Sequence, residues 1–164
     1  MSVRPTLFLT LAALAVAGAA QAQAPAPAKG PSTDLSLEAA QVALATCKTN
    51  GYKVVVTVLD SAGVTRVVLA GDGAPAGGVA ASAKKGAAVL MYKKSSAAVD
   101  EASKTDADLA AKIKADTTIM ARAGAQPLIS GGEIIGAIGV GGAPGGDKDD
   151  VCALAAVAKI KDRL

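Results

Sequence analysis

The stretch Gln126–Asp150, QPLISGGEIIGAIGVGGAPGGDKDD, narrows the folds open to this chain more than any other. Pro127-Leu-Ile-Ser130 is short and apolar, Gly131-Gly132 supplies two residues free to take φ > 0, and Glu133–Val140 returns rich in Ile and Val. That pattern specifies a β-hairpin with a two-residue turn. Gly136 and Gly139 interrupt the returning strand, which marks a bulge or a place where another backbone or a ligand comes close, so the hairpin is expected to wall one side of a cleft. The glycines that follow lead into an acidic helix start. An anion would suit such a loop, but no Gly-Lys-Ser/Thr follows, and Gly139-Val-Gly141 runs into Pro144 where a dinucleotide fingerprint needs its third glycine. Asp147, Asp149 and Asp150 already place negative charge at the helix end and would repel a phosphate. A loop with a helix cap is the favoured reading.

Residues 1–24 read as a cleaved secretory leader: Arg4 gives a basic start, Leu7–Ala17 is an apolar run too short to span a bilayer comfortably, and Ala-x-Ala sites follow at 20–22 and 22–24. The expected location is therefore periplasmic or secreted, with no stable membrane span after cleavage. Residues 25–34, rich in Pro and Ala, read as a semi-extended tether, leaving residues 35–164 as one domain. Loss of the leader takes away Arg4 and Phe8. The net charge falls from +3 to +2 and the remaining rings are Tyr52 and Tyr92, too little charge and too few stacking surfaces for a nucleic-acid partner. A core of Ala, Val, Ile and Leu buries little area per side chain, so a homo-oligomer is expected.

Ser36 is expected to cap a first helix carrying Leu37, Ala40, Leu44 and Cys47 on one face, with Gly51 ending it. Tyr52–Leu59 and Val64–Leu69 read as strands around the turn Asp60-Ser-Ala-Gly63, and valines on both parities imply burial on both faces, a central place in the sheet. Asp60 has a turn-capping reading ahead of a catalytic one. Val79–Tyr92 is a helix with Val79, Ala83, Gly86, Ala87 and Leu90 along one face, whose small residues let it lie close against a sheet or a neighbouring helix. Thr105-x-x-Asp108 resembles a capping box starting a short helix through Lys114, and Asp147–Leu164 closes the chain with Val151, Leu154, Ala155 and Ala158 in register. The order α-β-β-α-α-β-β-α implies an α+β domain with a largely antiparallel central sheet and helices packed on it.

With no histidine, a Ser-His-Asp triad, a Cys-His pair and the usual zinc-hydrolase sites cannot be assembled. Cys47 and Cys152 have no Cys-x-x-Cys partner, and no carboxylate pair stands out as an acid/base couple. No catalytic residue is nominated, and a binding protein is favoured over an enzyme.

The segments LSLEAAQVAL (35–44), VVVTVLDSAGVTRVV (54–68), Ala83-Lys-Lys85 and 126–155, above all the Gly132–Gly142 block, resemble the GlcG/HbpS-like haem-binding family. The resemblance implies a profilin-like α/β fold, oligomeric assembly, and haem or a related tetrapyrrole as ligand. Lys84 and Lys85 would then pair propionates, and the hairpin glycines Gly131, Gly132, Gly136 and Gly139 would allow close backbone approach. The chain departs from the family pattern after the lysine pair, where Ala88 and Met91 replace a threonine and an aromatic residue. Iron donors available without histidine are Met91, Met120, Tyr52, Tyr92 and the thiols if reduced. Met91 and Tyr92, next to the lysines, are the nominated ligands, with core filling as the competing role of the methionines. A non-haem structural or sensor-partner module, or a binder of a small organic acid, is the alternative function. In the implied fold the terminal helices pack side by side, bringing Cys47 and Cys152 together. A bridge would close a loop of about 105 residues and stabilise the fold by roughly 4–5 kcal/mol; two buried free thiols are the alternative.

Overall fold

A computed structural model describes Met1 and residues 27–164 of the chain. The leader and its cleavage sites, Met1 apart, lie outside the described residues. Helix α1 (Thr33–Thr49) begins before the expected boundary because Ser32, not Ser36, is its cap: the Ser32 hydroxyl accepts the Leu35 N–H at 3.2 Å. Ser36 lies one turn inside, buried, with its hydroxyl donating to the Ser32 carbonyl at 2.8 Å. The buried face carries Leu35, Ser36, Ala39, Ala40, Ala43 and Cys47, whereas Leu37 is exposed. The helix stops as expected at Gly51, whose φ of +79° lets the Tyr52 N–H reach the Cys47 carbonyl (2.8 Å) and the Gly51 N–H the Lys48 carbonyl (3.0 Å). This double-bonded end fixes where Tyr52 leaves the helix.

Strands β1 (Val55–Asp60), β2 (Thr65–Ala70), β3 (Ala125–Ser130) and β4 (Glu133–Gly141) form one antiparallel sheet in the order β2-β1-β4-β3. Two hairpins are thus joined along β1 and β4. All six β1 residues are buried, as its valine-rich pattern required, but β2 is a largely exposed edge. In the first turn the Asp60 carboxylate accepts the N–H groups of Ala62 (3.0 Å) and Val64 (2.9 Å), the turn-capping role expected of it. In the second, Gly131 and Gly132 take φ of +56° and +82°, the twin positive values of a type I′ turn.

Helices cover both faces of the sheet. On one, α1 and α5 (Gly146–Ile160) pack over Val54, Val56, Val58, Leu128, Ile138 and Val140. Each such side chain, fully withdrawn from water, contributes about 1.5–3 kcal/mol. Cys47 and Cys152 are bonded to each other across the α1–α5 seam, Cα–Cα 5.5 Å, and Arg163 forks onto Glu38 at its other end (2.8 and 2.6 Å). That hydrogen bonding holds the Glu38 carboxyl below its ordinary value.

On the other face lies α2 (Gly78–Tyr92), packed close to the sheet as its small residues implied, but with a buried side that shares only Gly86 with the expected face. Gly78, Ser82, Lys85, Gly86 and Val89 face inward while Val79 is exposed. Smallness, not apolarity, selects that side: a Cβ on Gly139 would stand 2.1 Å from the Ser82 carbonyl oxygen, so helix and strand backbones are in direct contact. The close approach foreseen at Gly139 is made by the chain's own helix. Ser82 also bonds Thr57 at 2.7 Å inside this contact.

Between α2 and β3 the expected short helix is α4 (Ala107–Ala115), capped by Asp106, whose carboxylate accepts the Leu109 N–H at 2.9 Å, in place of Thr105. A further helix, α3 (Ser96–Ser103), precedes it and was not foreseen. Its signal was Ser95, which caps it through the Ala98 N–H. Otherwise the element order is the expected one.

Candidate functional site

Lys85 and Asp149 form a buried ion pair, each side chain 4% exposed, with Nζ and Oδ2 2.6 Å apart. Lys85 Nζ also donates to the Val140 carbonyl (3.0 Å), and Asp149 Oδ1 accepts the Ala143 N–H (3.0 Å). The pair therefore ties α2, β4, the glycine loop and the start of α5 to one another. Asp150 is spent similarly, accepting the Gly124 N–H (3.0 Å) and the Gln126 amide (2.8 Å). The acidic helix start thus serves the loop and the β3 strand. Lys85, nominated as a propionate partner, is committed inside the protein. A cleft of about 350 Å³ opens beside the pair, lined also by Met120, Arg122 and residues 142–146.

The nominated residues do not converge. Lys85 meets β4 at Val140, whereas Gly131 and Gly132 lie at the other end of that strand, eight residues or about 26 Å away at the rise of extended chain. No side chain or backbone comes within 4 Å of a Cβ built at either turn glycine. Gly136 packs on the Leu59 carbonyl and Gly139 on α2, so neither faces a cavity. Lys84 is half-buried, and its carbonyl accepts the Met120 N–H at 3.0 Å. Met91 is 51% exposed and Tyr92 half-buried at the end of α2; neither lines either of the two cavities described here. With both cysteines in the disulfide, thiol donors are removed from the iron-ligand set.

A second cavity, about 410 Å³, lies at the end of α1. Leu44 and Ala70 give it apolar walls above the buried Val54, Lys48 and Lys53 flank it, and Tyr52 reaches it from the turn that ends the helix. Among the described residues neither lysine has a carboxylate within ion-pair distance, although Asp72 is also on the rim. The Tyr52 hydroxyl makes no hydrogen bond to the described residues, and since every buried side-chain polar atom there has a partner, that oxygen is open to solvent. Lys148, from α5, stands 5.8 Å from the Tyr52 ring centroid and holds the ring from one side. Sequence reading counted Tyr52 among the iron donors but did not place it in a site; the signal was its position between Lys48 and Lys53, just past a glycine helix stop.

Among the described residues, no group of three or more His, Cys, Asp and Glu is placed to hold a bare metal ion, and no helix is long and apolar enough to cross a membrane. A tetrapyrrole asks for something else: apolar walls, cations for its carboxylates and one axial donor. The Tyr52 cavity supplies all three kinds of group. The Lys85 cleft offers Met120 and Arg122 with few apolar walls.

Residues 32–158 match the family described as haem degrading protein HbpS-like. Among solved structures the chain is similar to HbpS, at 26% identity and TM-score 0.75 over 82% of this chain and 93% of that one. A double mutant of Streptomyces reticuli HbpS gives 26% and 0.74 over 93% and 99%. The PduOC:heme complex shares the fold at 19% identity and TM-score 0.72, over 79% of this chain and 94% of that one. No curated protein matches the chain.

Proposed function

This chain belongs to the HbpS-like haem-degrading protein family, and from that premise we propose that it binds haem or a related tetrapyrrole outside the cytoplasm, as an oligomer. The observation that carries the reading is the family match over residues 32–158. The PduOC structure, with the same fold and heme bound, supports it. Bound haem would supply a redox-active iron; this chain would contribute an axial donor, cations for the propionates and an apolar wall. Binding precedes any degradation, so binding is the step to test.

Export is supported by the leader-like residues 1–24 and by the Cys47–Cys152 bridge, a bond that persists in oxidising compartments. Assembly is supported by the exposed apolar side chains Val64 and Val68 beside β2 and Val79 and Met91 on α2. Protein recovered from the extracytoplasmic fraction should have an intact mass lacking residues 1–22 or 1–24 and a multimeric mass by light scattering. Titrated with haemin, it should give a Soret band that saturates at a fixed ratio per protomer. Absorbance that rises without saturation would overturn the haem reading in favour of a non-haem structural or sensor-partner module, or a binder of a small organic acid.

A further inference from the structure

We infer that the haem site is the cavity at the end of α1, with Tyr52 as the iron's axial ligand and Lys48 and Lys53 as the carboxylate partners. This rests on the haem reading and adds the place and the donor. Elimination narrows the donors first. The chain has no histidine, both cysteines are bonded to each other, Met91 lies exposed on a helix, and Tyr92 lines neither of the two cavities. Tyr52 and Met120 remain, each at a cavity.

Their surroundings decide between them. Around Met120 the buried lysine is already neutralised by Asp149 at 2.6 Å, leaving Arg122 as the cation on that rim without an ion-pair partner. Around Tyr52 two lysines have no ion-pair partner among the described residues, Leu44 and Ala70 give aliphatic walls, and the hydroxyl makes no hydrogen bond to the described residues. Tyrosine is an established haem ligand type. On binding, Tyr52 Oη gives its proton to solvent and a lone pair to ferric iron; no redox change is involved. Lys48 and Lys53, on the rim of the same cavity, carry the positive charge that propionates take. The donor is well placed, because the bonds from Gly51 and Tyr52 back to α1 fix its backbone and Lys148 stands over its ring.

The test is haemin titration of the full exported protein, followed by resonance Raman spectra of the complex. Wild type should show iron–phenolate vibrations; Tyr52→Phe should lose them while keeping the wild-type urea midpoint, and Met120→Leu should retain them. The paired change Lys48→Glu and Lys53→Glu, at exposed positions, should weaken haemin binding at least about tenfold through repulsion of the propionates. If wild type binds saturably but Tyr52→Phe gives the same spectrum and affinity, or Met120→Leu abolishes the signature, the site assignment is wrong and the haem reading stands. If wild type does not bind saturably, both fall.

Discussion

Two polar regions flank the start of α5, and they differ in whether their charges are spent. At the Lys85–Asp149 pair, the strong donors and acceptors are consumed in joining α2, β4 and the glycine loop. At the Tyr52 cavity, two lysines and a phenol have no ion-pair or hydrogen-bond partner among the described residues. A buried charge must be matched for the chain to fold, whereas an unmatched one at an apolar cavity is available to a ligand. The difference teaches that a lysine pair in sequence, however suggestive of anion binding, reveals its role through what neutralises it.

The disulfide runs between these regions, and breaking it should have the largest effect. Cys47 adjoins Lys48 of the cavity, and Cys152 lies one helical turn beyond Lys148 and Asp149. Replacing both cysteines with alanine should cost about 4–5 kcal/mol from loop-closure entropy, read as a lower urea midpoint. It should also weaken haemin binding, because one wall of the cavity is then released from α5. Unchanged stability would mean that the bridge constrains little of the unfolded chain.

The ion pair comes next. Lys85→Met alone leaves Asp149 charged and buried, at a cost of about 3–5 kcal/mol. Adding Asp149→Leu should recover most of that, short of roughly 1 kcal/mol for the Ala143 N–H left without its acceptor. Haemin affinity of the double variant should match wild type. The smallest effect belongs to the cavity lysines: Lys48→Glu with Lys53→Glu should lower folding stability by about 1 kcal/mol, since both are exposed and unpaired and only Lys48 meets the negative end of α1. Equal stability losses in the two regions would dissolve the contrast between them.

Much of the architecture was legible in the sequence because it rests on local chemistry. Gly131-Gly132 set the hairpin turn, Gly51 set the end of α1, and the valines of β1 announced a strand buried on both faces. The inward face of α2 was misjudged for a physical reason. Small residues along the face from Val79 to Leu90 implied the close packing that Gly86 and Gly139 make, but the helix is turned so that Lys85 rides inward beside Ser82, paired with Asp149. That partner lies 64 residues away, and no local pattern predicts such a pairing. Likewise Tyr52 stands between two lysines in plain view of the sequence, yet the wall that makes this a cavity comes from Ala70 and Gly71, at the far end of the β1–β2 hairpin. The nominated site failed to converge because β4 separates its two halves by the length of a strand.

The central claim, that the open charges and not the paired ones mark the ligand site, is tested most directly by locating bound haemin without mutation. In ¹⁵N-labelled protein titrated with haemin, paramagnetic ferric iron broadens the amide signals nearest to it. The expected result is loss of the signals of Gly51–Val54 and Ala70–Asp72 at haemin ratios where those of Arg122, Gly145 and Gly146 still persist. Early loss at Arg122 and the glycine loop, with the Tyr52 region unaffected, would contradict it.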